Sequence, residues 1–403
     1  MWREKVTLRQ ETKRELEQQT HPNVAIVGGS AAGFFTASML ARGGCSVNVY
    51  ERAERLDPTP RTLIVTSHLR NLLGDVANRA VVNEIRKFEL FTDGRAAHVP
   101  LKSPDLIIER SKLIRSLSEQ AQSHGAKVNL GSRFASLEGN GDGLSVRVER
   151  TQTAKIEEKH ADIVVGADGA VSRVAEAAGW PRQPTVPLLQ AVVRVPSGMP
   201  ADTVRVWFIP DDTPYFYWLI PESPDRAVLG LIGEDGQETR QCLERFMEKR
   251  GFAPLGFQGA RIPVYDQWTP VERQVGAGKV FLVGDAAGQV KVTTVGGIIT
   301  GFRGALGVSE AILNKGKSRE LRALRRELDL HLMIRRTIHR FKQADYSRLV
   351  DLMNASTRRS LSQYTRDEAA SVLWHITLSQ PRLLLLGLRG LLSGASILPK
   401  RRN

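Results

Sequence analysis

The chain has 403 residues, which is enough for two domains and a sizeable hydrophobic core. Its composition is that of a globular protein, with 41% hydrophobic residues. No stretch approaches the roughly 20 apolar residues of a membrane-spanning helix. The formal net charge of +14 points to an anionic partner, such as a phosphate-bearing ligand or an acidic membrane surface. Because the arginines are scattered and not interleaved with aromatic residues in a block, we expect no nucleic-acid partner.

The two cysteines, Cys45 and Cys242, belong to no CxxC pair and no Cys/His cluster. We therefore expect no zinc or iron–sulfur site and a reduced, cytoplasmic setting. Residues 1–21 lack the apolar core of a signal peptide, so we expect a polar N-terminal extension.

The first informative stretch is a strand–turn–helix–strand pattern near the N-terminus. An apolar strand at 24–27 runs into a glycine turn at 28–33 and then a helix at 34–42. A second strand covers 46–50 and ends before an acidic residue, Glu51. This order predicts a βαβ unit with a glycine loop at its first turn.

The residues of this loop suit a dinucleotide. Gly28 permits a tight turn, and Gly33 lets the helix pack close to the strand. Ser30 replaces the usual middle glycine and is still small enough for backbone N–H groups to approach a pyrophosphate. Glu51 lies roughly 20 residues further on, where its carboxylate can bind a ribose.

Two further features follow along the chain. Residues 111–124 read as a helix with Ser111 as a candidate cap, and Arg110 directly before it either faces a cofactor or is solvated. A buried strand at 163–165 delivers Asp168 into a glycine turn. That carboxylate either fixes a loop or an arginine near a ligand or caps the following helix.

The middle of the chain changes to short β-rich runs between residues 187 and 263, which predict one antiparallel or mixed sheet. A third buried strand, 280–283, then leads into the stretch GDAAGQVKVTTVGGIITG. The fold class is therefore α/β, a Rossmann-like domain with an inserted β-sheet substrate domain and a helical C-terminus. The expected boundaries are 22–60, 105–186 and 275–315 for the first domain, 61–104 and 187–274 for the second, and 316–403 for the helical region.

The last segment, 373–403, is rich in leucine and flanked by Arg and Lys. It is too short and too interrupted to span a bilayer. Two alternatives stay open: an interfacial helix in peripheral contact with an anionic membrane on the cytoplasmic face, or a helix packed on the body of the protein.

Taken together, these motifs resemble the FAD-dependent oxidoreductases of the para-hydroxybenzoate hydroxylase fold, and within them the geranylgeranyl reductase family. The family pattern GDAAGQVKPTTGGGI is similar to GDAAGQVKVTTVGGI here, with Val292 in place of proline and Val295 in place of glycine. The family's aromatic-x-Trp-x-Phe-Pro element resembles Phe216 to Pro221, with Ile220 in place of phenylalanine. A Cys-Gly-Glu element of some members is missing.

The resemblance implies FAD as cofactor and an electron donor that is NAD(P)H or a ferredoxin. It implies these cofactor-binding residues: Gly28, Ser30, Ala31, Ala32, Gly33, Glu51, Arg52, Arg110, Asp285, Gly296, Gly297 and Ile298. It implies these substrate-binding residues: Phe216, Trp218, Ile220 and Pro221. It identifies no catalytic residue and no metal site.

The function expected from this resemblance is reduction of C=C bonds in an isoprenoid chain, with an apolar isoprenoid or lipid as substrate. Two alternatives stay open. One is an FAD-dependent monooxygenase that hydroxylates an aromatic or polyketide-like substrate with NAD(P)H and oxygen. The other is a flavin-dependent halogenase, although Lys291 matches a lysine of the reductase pattern. A flavin-binding scaffold without turnover fits poorly. The sequence does not indicate the oligomeric state.

Overall fold

The computed structural model describes residues 21–57, 59–314, 316 and 318–368. The expected N-terminal extension and the leucine-rich segment 373–403 therefore lie outside the described residues, apart from residue 21. The strands of the described part are β1 (Asn23–Val27), β2 (Ser46–Tyr50), β3 (Thr62–Val65), β4 (Val81–Thr92), β5 (Arg95–Glu109), β6 (Lys127–Asn129), β7 (Ser132–Asn140), β8 (Gly143–Arg150), β9 (Ile156–Ala161), β10 (Ile163–Gly166), β11 (Thr185–Arg194), β12 (Thr203–Trp207), β13 (Tyr217–Pro221), β14 (Arg226–Ile232), β15 (Pro254–Pro263), β16 (Glu272–Val275) and β17 (Gly278–Leu282). The helices are α1 (Ala31–Arg42), α2 (His68–Leu73), α3 (Asp75–Ala80), α4 (Arg110–Ser123), α5 (Arg173–Ala177), α6 (Gly236–Arg250), α7 (Ile298–Leu313), α8 (Arg319–Ile338), α9 (Gln343–Asp351) and α10 (Ala355–Gln363). None of these helices is long and apolar enough to cross a bilayer.

The first sheet contains the three apolar strands expected from the sequence. Its strand order is β16-β17-β10-β1-β2-β6, and every pair is parallel except the β16–β17 hairpin. Val24, Val164 and Val165 are fully buried. Such strands are buried on both faces, which explains why they read as continuous apolar runs in the sequence.

The carboxyl ends of these parallel strands bring distant residues to one edge of the sheet. Gly28 follows β1, Glu51 follows β2 and Asp168 follows β10. Gly284 and Asp285 follow β17 and begin a short 3-10 helix. Ligands of open parallel sheets bind at this edge, so the fold places the predicted motifs at the edge where a ligand would bind.

The second sheet confirms the β-rich region. Its strand order is β15-β11-β14-β13-β12-β4-β5-β3, and all its pairs are antiparallel except β12–β4. Side chains of β13 alternate between its faces. Tyr217 and Leu219 pack in the cluster that includes Phe246 of α6. Trp218 and Ile220 belong to the opposite cluster, which includes Leu324 and other residues of α8.

The third sheet, β7-β8-β9, has no counterpart among the sequence predictions. Leu144, Val146 and Val148 are buried against Val164 and Val280 of the first sheet. The outward side chains of these strands are mostly charged or polar, so the apolar signal is weaker than in the central strands.

Helix starts differ from the sequence prediction in two places. Helix α1 begins at Ala31 and not at Phe34, because Ser30 caps it. Helix α4 begins at Arg110, and its cap is Glu109 and not Ser111. The Glu109 carboxylate accepts hydrogen bonds from the backbone N–H groups of Ser111 and Lys112, both at 3.0 Å. The prediction of Ser111 as cap is therefore wrong.

Strand pairing supports the division into a dinucleotide domain and an inserted sheet domain, which we propose as the organisation of the chain. Two details differ from the expected boundaries. Strand β5 continues past residue 104 to Glu109, and the second sheet begins again at Thr185.

Candidate active site

The first glycine loop has the backbone conformation that the sequence predicts. Gly28 has a φ of +106°, and a Cβ placed there would lie 2.5 Å from the carbonyl oxygen of Ala167. A Cβ on Gly33 would lie 2.3 Å from the carbonyl oxygen of Gly28. Helix α1 and the residues that follow strand β10 approach the loop so closely that neither position tolerates a side chain.

The N-terminus of α1 meets this loop. Ser30 Oγ accepts a hydrogen bond from the backbone N–H of Gly33 at 3.1 Å. Ala31 and Ala32 form the first turn of the helix beyond this cap. N–H groups of a first helical turn lack partners within the helix, and the helix dipole adds partial positive charge there. The turn is therefore suited to an anion.

Glu51 holds the glycine loop from the neighbouring strand. Its Oε2 accepts a hydrogen bond from the backbone N–H of Gly29 at 2.6 Å, and its Oε1 accepts one from Ala53 at 2.9 Å. Each carboxylate oxygen can accept a second hydrogen bond. Glu51 can thus fix the loop and still accept hydrogen bonds from ligand hydroxyl groups.

A cavity of about 720 Å³ opens along this edge of the first sheet, and we call it the glycine-loop cavity. Five of the residues that the resemblance implies for cofactor binding line it: Gly28, Ser30, Glu51, Arg52 and Arg110. Ala31, Ala32 and Gly33 belong to the adjacent first turn of α1 and are not among its lining residues. Six arginines line the cavity: Arg52, Arg55, Arg61, Arg110, Arg133 and Arg173. Three carboxylates line it: Glu51, Asp57 and Asp168. The excess of cations favours a polyanionic ligand.

Arg61 is a candidate binding residue that the sequence analysis missed. Its Nε is buried and makes no hydrogen bond. Burial lowers the pKa of Arg61 and of Arg110, while the carboxylate of Asp285 raises both. Burial raises the pKa of Asp285, and the two guanidinium groups oppose that shift. Both half-buried cations interact with Asp285, and Arg110 also interacts with Glu109 and Glu51. The buried Nε of Arg61, which has no partner, therefore remains available to an anionic ligand. Arg61 lies in the polar stretch before β3 and belongs to no motif.

Asp168, for which the sequence leaves two alternatives, hydrogen-bonds the first turn of α5, but the cap residue of that helix is Ser172. Its Oδ2 accepts hydrogen bonds from the backbone N–H groups of Arg173 at 2.7 Å and Val174 at 3.2 Å. Its Oδ1 accepts one from Ser172 Oγ at 2.5 Å. Burial nevertheless raises its pKa, with these hydrogen bonds acting against the shift. The carboxylate fixes the start of α5 beside the glycine-loop cavity.

A second cavity, of about 380 Å³, lies between the second sheet and the second glycine stretch, and we call it the apolar cavity. Phe216, Trp218 and Ile220 line one side. Gly296, Gly297 and Ile298 line the other, at the N-terminus of α7, where Gly297 is the cap residue. Pro221 ends β13 as a buried residue and is not among the lining residues.

The two valines that depart from the family pattern have different environments. Val292 is 4% exposed and belongs to the core cluster around Trp218. Val295 lines the apolar cavity and has a φ of +52°, in the left-handed region. A β-branched residue is strained there, whereas the glycine of the family pattern is not.

A buried ion pair lies beside this loop. Lys291 contacts the carboxylate of Asp367, and the side chains are 6% and 2% exposed. Thr66 Oγ1 donates a hydrogen bond to Asp367, and His68 Nδ1 lies 3.5 Å from it. These partners hold the pKa of Asp367 well below its usual range. The pair joins the segment after α10 to the second glycine stretch. No pattern in the sequence points to Asp367, because its contact with Lys291 is long-range.

Both cysteines are free and buried, so they form no disulfide. Among the described residues no group of His, Cys, Asp and Glu side chains has the arrangement of a metal site.

Comparison with known proteins agrees with this geometry. Residues 21–314 match the family described as FAD binding domain. Digeranylgeranylglycerophospholipid reductase 2 of Methanothermobacter thermautotrophicus is 29% identical over 302 residues, which cover 68% of this chain and 74% of that protein. Geranylgeranyl diphosphate reductase of Rhodobacter capsulatus is 27% identical over 314 residues, 74% of this chain and 78% of that protein.

Solved structures share the fold at lower sequence identity. A geranylgeranyl bacteriochlorophyll reductase-like protein of Thermoplasma acidophilum has a TM-score of 0.73 at 17% identity, over 92% of this chain and 99% of that chain. The flavin-dependent halogenase CmlS has a TM-score of 0.64 at 15% identity, over 91% of this chain and 78% of that chain. With residues 21–314 matched, the chain belongs to the FAD binding domain family and is an FAD-dependent oxidoreductase that resembles the geranylgeranyl reductases.

Proposed function

We propose that the protein reduces C=C bonds of an isoprenoid chain of the geranylgeranyl type. The observation that carries the proposal is the apolar cavity, whose aromatic and aliphatic wall faces the glycines before α7. A cavity of this kind suits a long hydrocarbon better than a polar substrate. The relatives named as geranylgeranyl and digeranylgeranylglycerophospholipid reductases support the same substrate class.

The residues present fit FAD. The cradle around Gly28 and Gly33 leaves no room for a Cβ, and six arginines line the adjoining cavity. We propose that Gly28, Ser30, Ala31, Ala32 and Gly33 hold the pyrophosphate. Glu51 would hold the adenosine ribose, with Arg52 and Arg110 beside the cofactor. Asp285 would bind the ribityl chain or the pyrophosphate.

The second glycine stretch would hold the redox end of the cofactor. Gly296, Gly297 and Ile298 would present backbone N–H groups at the N-terminus of α7. When bound and reduced, FAD would supply hydride chemistry for one carbon of the double bond, and a protein or water acid would protonate the other carbon. The helix N-terminus stabilises negative charge at that place. Phe216, Trp218 and Ile220 would hold the chain and exclude water from it.

The same proposal extends to the electron donor and the place of action. The donor would be NAD(P)H or a ferredoxin. The protein would act in the cytoplasm, and contact with an anionic membrane would bring it to lipid substrates. Pro221 would support the cavity wall from the end of β13.

The proposal is tested by purifying the protein with its native lipid extract. Mass spectrometry would then look for FAD and a prenyl chain that co-purify. A second assay mixes the reduced holoenzyme with geranylgeranyl diphosphate in the absence of oxygen. We expect a mass gain of two hydrogens for each bond reduced and matching reoxidation of the flavin. A bound aromatic compound, with no isoprenoid and no mass gain, would contradict the proposal.

The two rival functions predict different results in the same assays. A monooxygenase consumes oxygen in step with its substrate and forms a stable flavin C4a-(hydro)peroxide. A halogenase requires a halide and oxygen, and it needs a free lysine near the flavin. Lys291 lines the apolar cavity, but its ammonium is paired with Asp367. Retained FAD with no turnover from any donor would favour a flavin-binding scaffold.

A further inference from the structure

The apolar cavity contains a buried cation that the proposed reaction does not use. Arg335 of α8 is 2% exposed and lines the cavity. Its Nε makes no hydrogen bond. In the part of the chain that the structure describes, no carboxylate forms an ion pair with it, and the charge of Glu234 acts on it from beyond ion-pair distance. A buried charge of this kind is costly unless an anion or a set of hydrogen bonds compensates it.

The surroundings of Arg335 compensate its charge in part. Its Nη2 donates hydrogen bonds to the carbonyl oxygen of Pro214 at 3.0 Å and to His339 Nδ1 at 3.1 Å. Its Cζ lies 3.9 Å from the centre of the Tyr215 ring. Burial and the positive charges of Arg335 and Arg340 lower the pKa of His339 to about 4, so this imidazole is a neutral acceptor. These contacts orient the guanidinium and add no negative charge.

The position of Arg335 relates it to the second glycine stretch. His331 lies one helical turn earlier, and its Nδ1 is 2.7 Å from Thr293 Oγ1 of that stretch. Residues four apart on a helix share a face, with an axial separation of about 6 Å. Arg335 is therefore one turn beyond the point where α8 contacts the proposed flavin loop. The rings of Phe216 and Tyr215 line the same cavity.

We infer that Arg335 binds the anionic head group, a phosphate or a carboxylate, of the amphiphile whose hydrocarbon chain occupies the apolar cavity. The inference rests on the proposed function, because it assigns the head-group end of that substrate site. A guanidinium forms paired hydrogen bonds with both oxyanions. The ligand would supply the missing negative charge at one end, and its chain would extend along the aromatic wall.

The test compares three probes that share one chain: geranylgeranyl monophosphate, geranylgeranoic acid and geranylgeraniol. Their dissociation constants would be measured on the FAD-loaded enzyme by quenching of tryptophan fluorescence, since Trp218 lines the cavity. We expect at least one anionic probe to bind about tenfold or more tighter than the alcohol, as hydrogen bonds to charged groups imply. The phosphate and carboxylate arms show which oxyanion the site prefers. Equal affinity for all three probes would overturn the inference.

Two variants test whether Arg335 causes the preference for anionic head groups. We expect Arg335→Met to bind the three probes with similar affinity. The matched control is Arg336→Met, because Arg336 is exposed on the same helix, and it should keep the wild-type preference. A preference that survives in Arg335→Met would overturn the inference. Arg335→Gln tests the same contact if Arg335→Met fails to fold, and an unchanged preference in Arg335→Gln would overturn it equally.

A separate measurement distinguishes this inference from the proposed function. Reduction of each chain is followed by mass, independently of binding. A head-group preference without any reduction would contradict the reductase and leave the Arg335 assignment standing. If the alcohol and the phosphate are both reduced and bind with equal affinity, the result would contradict the Arg335 assignment and leave the reductase standing.

Discussion

Val295 offers a direct test of how the second glycine stretch is built. Its φ of +52° lies in the left-handed region, which costs an L-residue roughly 1–2 kcal/mol. Glycine there removes this strain, although glycine usually makes a protein less stable than alanine by about 0.5–1 kcal/mol. The two terms predict that Val295→Gly is more stable than Val295→Ala by about 1 kcal/mol. The usual order of glycine and alanine is thus reversed.

The control for this comparison is Val292, three positions earlier in the same loop. Val292 is 4% exposed and does not have a positive φ. We expect Val292→Ala to be more stable than Val292→Gly, the ordinary order. Urea unfolding of all four holoenzyme variants measures the differences. If Val295→Gly were less stable than Val295→Ala, the strain at Val295 would be absent and the reasoning refuted.

The substitution also changes the apolar cavity, because the Val295 side chain lines it. Loss of half-buried methyl groups costs roughly 1 kcal/mol, so Val295→Gly should have nearly the stability of the wild type. Its cavity is wider beside Gly296. We expect a changed rate or substrate range with geranylgeranyl substrates. Unchanged activity and range would show that Val295 does not select the substrate.

Three other substitutions test the site. Gly33→Ala places a Cβ 2.3 Å from the Gly28 carbonyl oxygen, so we expect a loss of about 1–3 kcal/mol and a lower FAD-to-protein ratio, whereas Gly141→Ala, which meets nothing within 4 Å, should change neither. Asp367→Asn leaves the Lys291 ammonium buried without its carboxylate, so we expect a loss of about 3–5 kcal/mol in urea unfolding. The double variant Lys291→Met/Asp367→Asn should recover most of that loss, and a double variant as unstable as the single one would speak against the pair. Burial lowers the pKa of His331 from 6.5 to about 3, so its contribution to stability is complete above pH 6.5 and is lost as the pH falls towards 3. Between pH 7 and pH 5 that loss is about 2 kcal/mol, and His331→Asn should abolish it; an unchanged acid dependence in this variant would refute the assignment.

The parts of the fold that the sequence predicts best are those that depend on local backbone demands. Gly28 and Gly33 are required by close backbone contacts, and Glu51 and Asp285 follow strands whose carboxyl ends meet at one edge. Such requirements leave a visible pattern in a single sequence. The three apolar strands and the β-rich region are predictable for the same reason.

The missed residues have in common that their partners lie far along the chain. Arg61 acts on Asp285, and Asp367 contacts Lys291. Neither Arg61 nor Asp367 belongs to a spaced motif, so the sequence offers no signal for them. The cap of α4 was missed for a different reason: the helix begins at Arg110, one residue earlier than expected, and its cap Glu109 is not a residue type preferred at that position.

The arginines that line the two cavities indicate what kind of anion the protein binds. Arginines line the glycine-loop cavity, and Arg335 lines the apolar cavity without an ion pair to any carboxylate of the described residues. Arg61, Arg110 and Arg335 are half-buried or buried, a placement that suits a small anion better than the surface of a large polyanion. The other four arginines, Arg52, Arg55, Arg133 and Arg173, are exposed. Burying a guanidinium whose charge is only partly compensated costs free energy, so part of that cost remains at both cavities. Two small anionic ligands would offset it: the pyrophosphate of a dinucleotide in one cavity and the head group of an amphiphile in the other. On this argument, occupation of either cavity should raise the melting temperature of the protein.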